Sequence, residues 1–260
     1  MGPRPGWISR GIDPLRRPVW DAWNHTRQRL PRQWMTGYPR RVVPADPTAR
    51  SSPAAIAIRA RRLIVVLRRV TPREGLLDLV DELADAGASV FEVTLDGLGA
   101  ADDLAAVREA LDRRGPGRAW VGAGTVRSVR QVDEAVAVGA AFGVAPILDR
   151  AVLEAALDAG LPFIPGAYSP TEIDAAWRAG ATFVKLFPAS SLGPSHVREL
   201  RGPMREIETV VTGGVDASNA AAFLEAGATA VGVGSAIVRA TPEERRSLVA
   251  AIAAAPALPR

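Results

Sequence analysis

From Leu63 onward, short apolar runs alternate with amphipathic stretches. The runs fall at 63–67, 90–95, 119–122, 141–144, 162–164, 182–186, 208–212 and 229–233. Each is bounded by glycine, proline or polar residues, which predicts eight strands. Between them, 72–86 sets Leu76, Leu79, Val80 and Leu83 on one stripe of a helix, and 216–226 opens on a capping residue. Several of these stretches end in Ala-Gly-Ala (86–88, 226–228) or a close variant such as Val138-Gly139-Ala140, the glycine acting as a helix stop. Eight strand-then-helix units in roughly 200 residues predict a compact parallel (β/α)8 barrel of the TIM type. A doubly wound open sheet is the alternative topology.

The pattern fails upstream. Residues 1 to about 50 hold prolines at 3, 5, 14, 18, 31, 39, 44 and 47 and scattered tryptophans (Trp7, Trp20, Trp23, Trp34), with no sustained period. That argues against a packed core and predicts two regions, a basic disordered extension over 1–62 and a barrel over 63–260. Charge divides at the same place: thirteen arginines face three aspartates up to Arg62, whereas nineteen basic residues face twenty-five acidic ones beyond it. The sequence pI of about 10.4 therefore belongs to the extension. Its arginines and tryptophans could meet nucleic acid or an anionic membrane surface, but neither is the expected partner of the whole chain. No compact apolar leader opens the sequence, and the longest weakly polar run, Ala135 to Leu148, is too short to span a bilayer. The absence of cysteine excludes disulfides, thiolate nucleophiles and thiolate zinc sites. A soluble, cytoplasmic protein is the expectation.

One compositional fact carries chemistry: of thirty-two basic residues, only Lys185 is a lysine. Strand alternation puts it on one face with Phe183 and Phe187. The same alternation groups Glu92 with Val90, Thr94 and Asp96, Arg68 with Ile64 and Val66, and Thr212 with Val210. Each polar exception sits near the C-terminal end of its strand, where barrel active sites are built. Lys185, Glu92, Arg68, Thr125 and Thr212 are thus expected to face one pocket. Taken singly, Glu92 reads equally well as a buried carboxylate with a structural partner, and Arg68 as a surface residue like Arg69. Lys185 reads as a nucleophile, because a desolvated amine loses its proton and attacks a carbonyl whereas a guanidinium stays charged. Glycines after the seventh and eighth strands, Gly213-Gly214 and Gly232 to Ser235, suit backbone contact with a phosphate.

These segments together carry a resemblance. Val65-Val66-Leu67-Arg68, Phe91-Glu92-Val93-Thr94-Leu95, Gly122-Ala123-Gly124-Thr125-Val126, Ile164-Pro165-Gly166, Pro170-Thr171-Glu172, Val184-Lys185-Leu186-Phe187-Pro188-Ala189, Thr212-Gly213-Gly214-Val215 and Gly232-Val233-Gly234-Ser235 recur in order and spacing. The chain from about 63 to 250 resembles the 2-keto-3-deoxy-6-phosphogluconate and 4-hydroxy-2-oxoglutarate aldolase family, class I aldolases of (β/α)8 fold. The resemblance implies that Lys185 is the Schiff-base lysine and Glu92 the general acid/base. It implies that Thr125 contacts the keto-acid carboxylate, that Pro146, Phe187 and Thr212 line the substrate, and that Gly213, Gly214, Gly234 and Ser235 cradle its phosphate. No metal or cofactor is implied, since the iminium is itself the electron sink; the expected partners are a phosphorylated keto acid, pyruvate and two further copies in a homotrimer.

One position departs from part of the family. Asp96 stands where some members carry a carboxylate-binding arginine, whereas others have one at the end of the first strand, as Arg68 is here. Thr212 before the glycine pair resembles the gluconate type rather than the galactonate type. An epimerase or synthase acting on a phosphorylated ligand is the alternative enzyme reading for such a barrel.

Overall fold

The computed structural model describes Gly2 and residues 47–115 and 117–256. Among these residues, nine parallel strands form one sheet: β1 (Leu63–Leu67), β2 (Val90–Thr94), β3 (Trp120–Gly124), β4 (Gly143–Val144), β5 (Phe163–Ile164), β6 (Gly166–Ala167), β7 (Val184–Leu186), β8 (Thr209–Thr212) and β9 (Ala230–Val233). Their order is β5-β4-β3-β2-β1-β9-β8-β7-β6. The two outermost strands of that order are separated in the chain by Pro165 alone, so the sheet must curl round until its edges meet. The result is a nearly closed barrel rather than the open sheet weighed as the alternative. Nine segments replace the expected eight because Pro165 has no N–H to give the ladder. Its carbonyl still accepts from the amide of Lys185 at 2.9 Å, and the barrel closes across it.

Helices between the strands cover the outer face. Arg73–Asp85 buries the Leu76, Leu79, Val80 and Leu83 stripe read from its period. Pro170–Arg178 and Pro242–Ala254 each begin on a capping box, Ser169 with Glu172 and Thr241 with Glu244. The helix expected over 216–226 is shorter, Ala220–Glu225. Asp216 first folds a turn, its carboxylate accepting from the amide and hydroxyl of Ser218 at 2.8 and 2.6 Å, as short polar side chains do in competition with helix. No helix among the described residues is long and apolar enough to cross a membrane.

Two apolar clusters follow from strand alternation. The larger joins outward side chains such as Val65, Phe91, Val121 and Leu186 to the helices. The smaller fills the barrel with Ile64, Val66, Phe142, Ile164, Phe183 and Val210, and it also takes in Ala54, Ala55, Ala57 and Ile58. Those four belong to Pro53–Arg61, a helix capped by Ser52. The expected boundary at residue 62 is therefore too late: this helix plugs the N-terminal end of the barrel. Its Arg59 forks onto Glu208 with two bonds of 2.7 and 2.6 Å. The plug carries a weak periodic signal because its buried face is mostly alanine and Ile56 lies exposed on the other side. The disorder expected of the extension concerns, for residues 3–46, a segment outside the described residues.

Candidate active site

Seen from the other end, the barrel interior changes from apolar to charged within one layer of side chains. Phe183 is fully buried, and two residues on, Lys185 is still 95% shielded from solvent, at 5% relative exposure. Its strand neighbours in register are Gly166 and Val210, neither of which offers a counter-charge. Burial pushes the amine below the ordinary lysine range; the charge of Glu92 pulls it back up, and the Arg68 cation presses it down. Phe187 follows at the strand end, with its ring centroid 5.2 Å from Lys185 Nζ.

Glu92 enters from β2, paired in register with Val66 on one side and Gly122 on the other. Its carboxylate is buried, and Oε1 has no hydrogen-bond partner among the described residues. Room for it comes from Gly124: a Cβ at that position would stand 2.2 Å from Glu92 Oε1. Gly122, on the same face of β3, makes the same allowance for Phe142, whose ring would lie 2.4 Å from an added Cβ. The Gly-Ala-Gly of β3 is thus a space requirement of the barrel interior, and its period-two spacing opposite Glu92 is the sequence signal that would have shown it.

Thr125 comes next, at φ 57°, a left-handed conformation uncommon for a β-branched residue. Its Oγ1 accepts from Arg68 Nη2 at 3.1 Å. Arg68 Nη1 also lies 3.5 Å from Asp96 Oδ2. Arg69, read as a surface residue, is exposed but engaged as well: Nη2 donates to the Asp96 carbonyl at 3.1 Å and stands 3.4 Å from Oδ2. Neither the Asp96 pairing nor the part of Arg69 was legible from strand alternation, because a left-handed backbone at Arg69 (φ 49°) breaks it.

Thr212 ends β8 as a buried hydroxyl opposite Gly232 in register. Gly213 and Gly214 follow at φ 91° and 82°, and a Cβ on Gly213 would meet the Phe187 ring at 3.0 Å. Gly234 precedes the short helix Ser235–Arg239. Among the described residues no backbone hydrogen bond is donated by the amides of Gly213, Gly214 or Gly234. Pro146 follows β4 and its carbonyl abuts Gly166, the register partner of Lys185. Apart from Glu92 and Lys185, which are central in β2 and β7, every residue singled out in the sequence thus lies at or just beyond a C-terminal strand end. A cleft of about 870 Å³ lies at the opposite end, lined by Arg50, Arg59, Trp177, Arg205 and Glu208 among others. It holds none of these residues, and four of the side chains lining it are paired with one another, Arg59 with Glu208 and Arg50 with Trp177.

Fold and site together define an aldolase-type lyase barrel, and the comparisons carry this to a family. The model of the KDPG and KHG aldolases matches residues 55–252. The chain is 32% identical over 186 residues to the 2-dehydro-3-deoxy-6-phosphogalactonate aldolase of Escherichia coli, covering 71% of this chain and 88% of that one. It is 36% identical over 167 residues to the 2-dehydro-3-deoxy-phosphogluconate aldolase of Pseudomonas aeruginosa, covering 64% and 73%. A KDPG aldolase from Legionella pneumophila, solved with pyruvate captured as a covalent carbinolamine, superposes with a TM-score of 0.65 at 27% identity, covering 78% of this chain and 98% of that one. The chain belongs to the KDPG and KHG aldolase family. The match begins inside the plug helix, which places that helix with the barrel.

Proposed function

We propose that the protein reversibly cleaves 2-keto-3-deoxy-6-phosphogluconate to pyruvate and glyceraldehyde 3-phosphate through a Schiff base on Lys185. The observation that carries this reading is a single, desolvated lysine that feels the charge of a buried, unpartnered carboxylate. Deprotonated Lys185 attacks the C2 carbonyl, and loss of water gives a protonated imine. Glu92 takes the proton of the C4 hydroxyl while the C3–C4 electron pair moves into the imine, leaving an enamine of pyruvate and a free aldehyde. Glu92, or a water it positions, then returns the proton to C3, and hydrolysis releases pyruvate. Arg68 and Thr125 hold the C1 carboxylate, and Pro146, Phe187 and Thr212 line the chain. The free amides of Gly213, Gly214 and Gly234 with Ser235 receive the phosphate.

The galactonate epimer is a second reading, favoured by the Escherichia coli relative named for it. Against it stands the hydroxyl of Thr212. Comparing kcat/KM on the two epimers decides between them. The family resemblance also carries a homotrimer and a cytoplasmic setting into this proposal. The test of the reaction itself is incubation with pyruvate and borohydride: one reduced pyruvyl group should map to the peptide containing Lys185. An adduct confined to the N-terminal amine would remove the reading.

A further inference from the structure

We infer that Asp96 is a positioning residue, which fixes the Arg68 guanidinium over the keto-acid carboxylate subsite, and that Arg69 in turn fixes Asp96. The inference rests on the Schiff-base reading above and accounts for an acidic residue where part of the family has a carboxylate-binding arginine.

The Arg68 side chain is 52% exposed, and a long exposed side chain has many rotamers to choose from. Only two groups among the described residues tie its head down: the hydroxyl of Thr125 at 3.1 Å and Oδ2 of Asp96 at 3.5 Å. These stand at the ends of β3 and β2, so the guanidinium is held across the mouth between neighbouring strands. Asp96 is 19% exposed; its Oδ1 is buried with no hydrogen-bond partner among the described residues. Of the two oxygens, Oδ2 is the one nearest to both arginines. Exposed ion pairs add little stability, and a buried oxygen without a donor subtracts from it. The arrangement is therefore poorly explained as a fold stabiliser, and well explained as a fixed anion that orients a cation.

Arg69 completes the chain of contacts. Successive strand residues point to opposite faces, yet the left-handed backbone at Arg69 brings its head to the same carboxylate as that of Arg68. It also clasps the Asp96 carbonyl, so backbone and side chain of Asp96 are held by one guanidinium. Order thus passes from Arg69 to Asp96 to Arg68, which then meets substrate pre-set, with less rotamer freedom to lose on binding.

The test uses the full chain and compares pyruvate with pyruvamide, whose ketone is alike but which has no carboxylate. Half-maximal borohydride labelling of Lys185 is read for wild type, Asp96→Ala, Asp96→Asn, Arg68→Ala and the Arg68→Ala/Asp96→Ala double variant. Asp96→Ala should raise the pyruvate concentration needed by at least about fivefold while moving pyruvamide by less than about twofold. Asp96→Asn, which keeps the shape and one acceptor, should fall between and covers the case in which the alanine variant does not fold. The double variant should need no more pyruvate than Arg68→Ala alone, because the effect of Asp96 passes through Arg68. Equal shifts for both ketones, unchanged pyruvate dependence, multiplying effects in the double variant, or tighter pyruvate binding in Asp96→Asn would each overturn the inference. Wild type that labels with neither ketone would instead remove the Schiff-base reading, and this inference with it.

Discussion

At the N-terminal end of the barrel, Arg59 grips both oxygens of Glu208, Arg50 donates to two carbonyls and stacks on Trp177, and alanines and Ile58 pack into the inner apolar cluster. At the C-terminal end, Lys185 is held with its charge desolvated, and Glu92 Oε1, Thr94 Oγ1 and Asp96 Oδ1 are buried without donors or acceptors among the described residues. An unsatisfied buried group costs roughly 1–3 kcal/mol, so the mouth, with three such groups against Ser89 Oγ at the N-terminal end, gives up more of the fold's stability than the opposite end does. What the mouth gains is a set of groups left free for a substrate to pair. The comparison predicts that changes at the mouth move rate and those at the floor move stability.

The sharpest test of that rule is Lys185→Arg. Charge and approximate bulk survive, but nucleophilicity does not, so aldol cleavage should fall by at least about 10⁴-fold in protein that remains folded. Glu92→Gln comes next: exchange of the pyruvate methyl protons should slow by about 10²–10⁴-fold while trapping by borohydride persists. The pH profiles add a sign. Schiff-base formation needs the neutral amine, and the negative charge of Glu92 raises the Lys185 pKa whereas Arg68 lowers it. The acidic limb should therefore move to lower pH in Glu92→Gln and to higher pH in Arg68→Ala. Shifts in the same direction would show that the two charges do not act on the amine.

Much of the mouth was legible because strand alternation and the end-of-strand rule are local: a lysine two residues after Phe183 must share its face, and Glu92 must share that of Thr94. The barrel itself was legible from repeated strand-helix units. Three things were not. The plug helix Pro53–Arg61 buries small residues and exposes Ile56, so its hydrophobic period is nearly silent. Pro165 splits a strand because a missing donor alters the ladder without altering the apolar pattern. The Asp96 cluster depends on the sign of one backbone angle at Arg69, which no side-chain periodicity encodes. Gly124 lies between the two cases, since its spacing was visible but the carboxylate it makes room for was not.

That glycine sharpens the contrast between the ends. Gly124→Ala puts a methyl 2.2 Å from Glu92 Oε1, and the carboxylate must move; kcat should drop by about 10²-fold, with overpacking costing about 1–3 kcal/mol. Ile58→Ala, at the floor, removes a fully buried side chain from the inner cluster. It should cost about 2–5 kcal/mol in urea unfolding, with kcat within about twofold of wild type at a temperature where both are folded. If kcat instead falls in step with stability, the plug and the mouth are one mechanical unit and the division fails.

The smallest effect separates two truncations only four residues apart. Cutting before Pro47 leaves every contact of Arg50 in place, whereas cutting after Arg50 removes its bonds to Trp177 and Ala181 carbonyls at 3.0 and 3.1 Å and its stacking at 3.5 Å from the Trp177 ring. It also removes the carbonyl of residue 50 that accepts from Arg59 at 2.7 Å, though Arg59 keeps Glu208. Two hydrogen bonds and a half-buried cation–π contact are worth about 1–2 kcal/mol in sum, which for a domain of this size is about 2–8 °C in melting temperature. The shorter protein should therefore melt a few degrees below the longer one, in parallel thermal scans, while both cleave the keto acid at the same rate. Arg50→Ala in the full chain should reproduce the shift, which ties it to the side chain rather than to the new terminus. A loss of turnover in the shorter protein while it remains folded would mean that the floor reaches the mouth after all, through Arg59, Phe183 and Lys185 in turn, since the Arg59 head lies 4.9 Å from the Phe183 ring directly beneath the lysine layer.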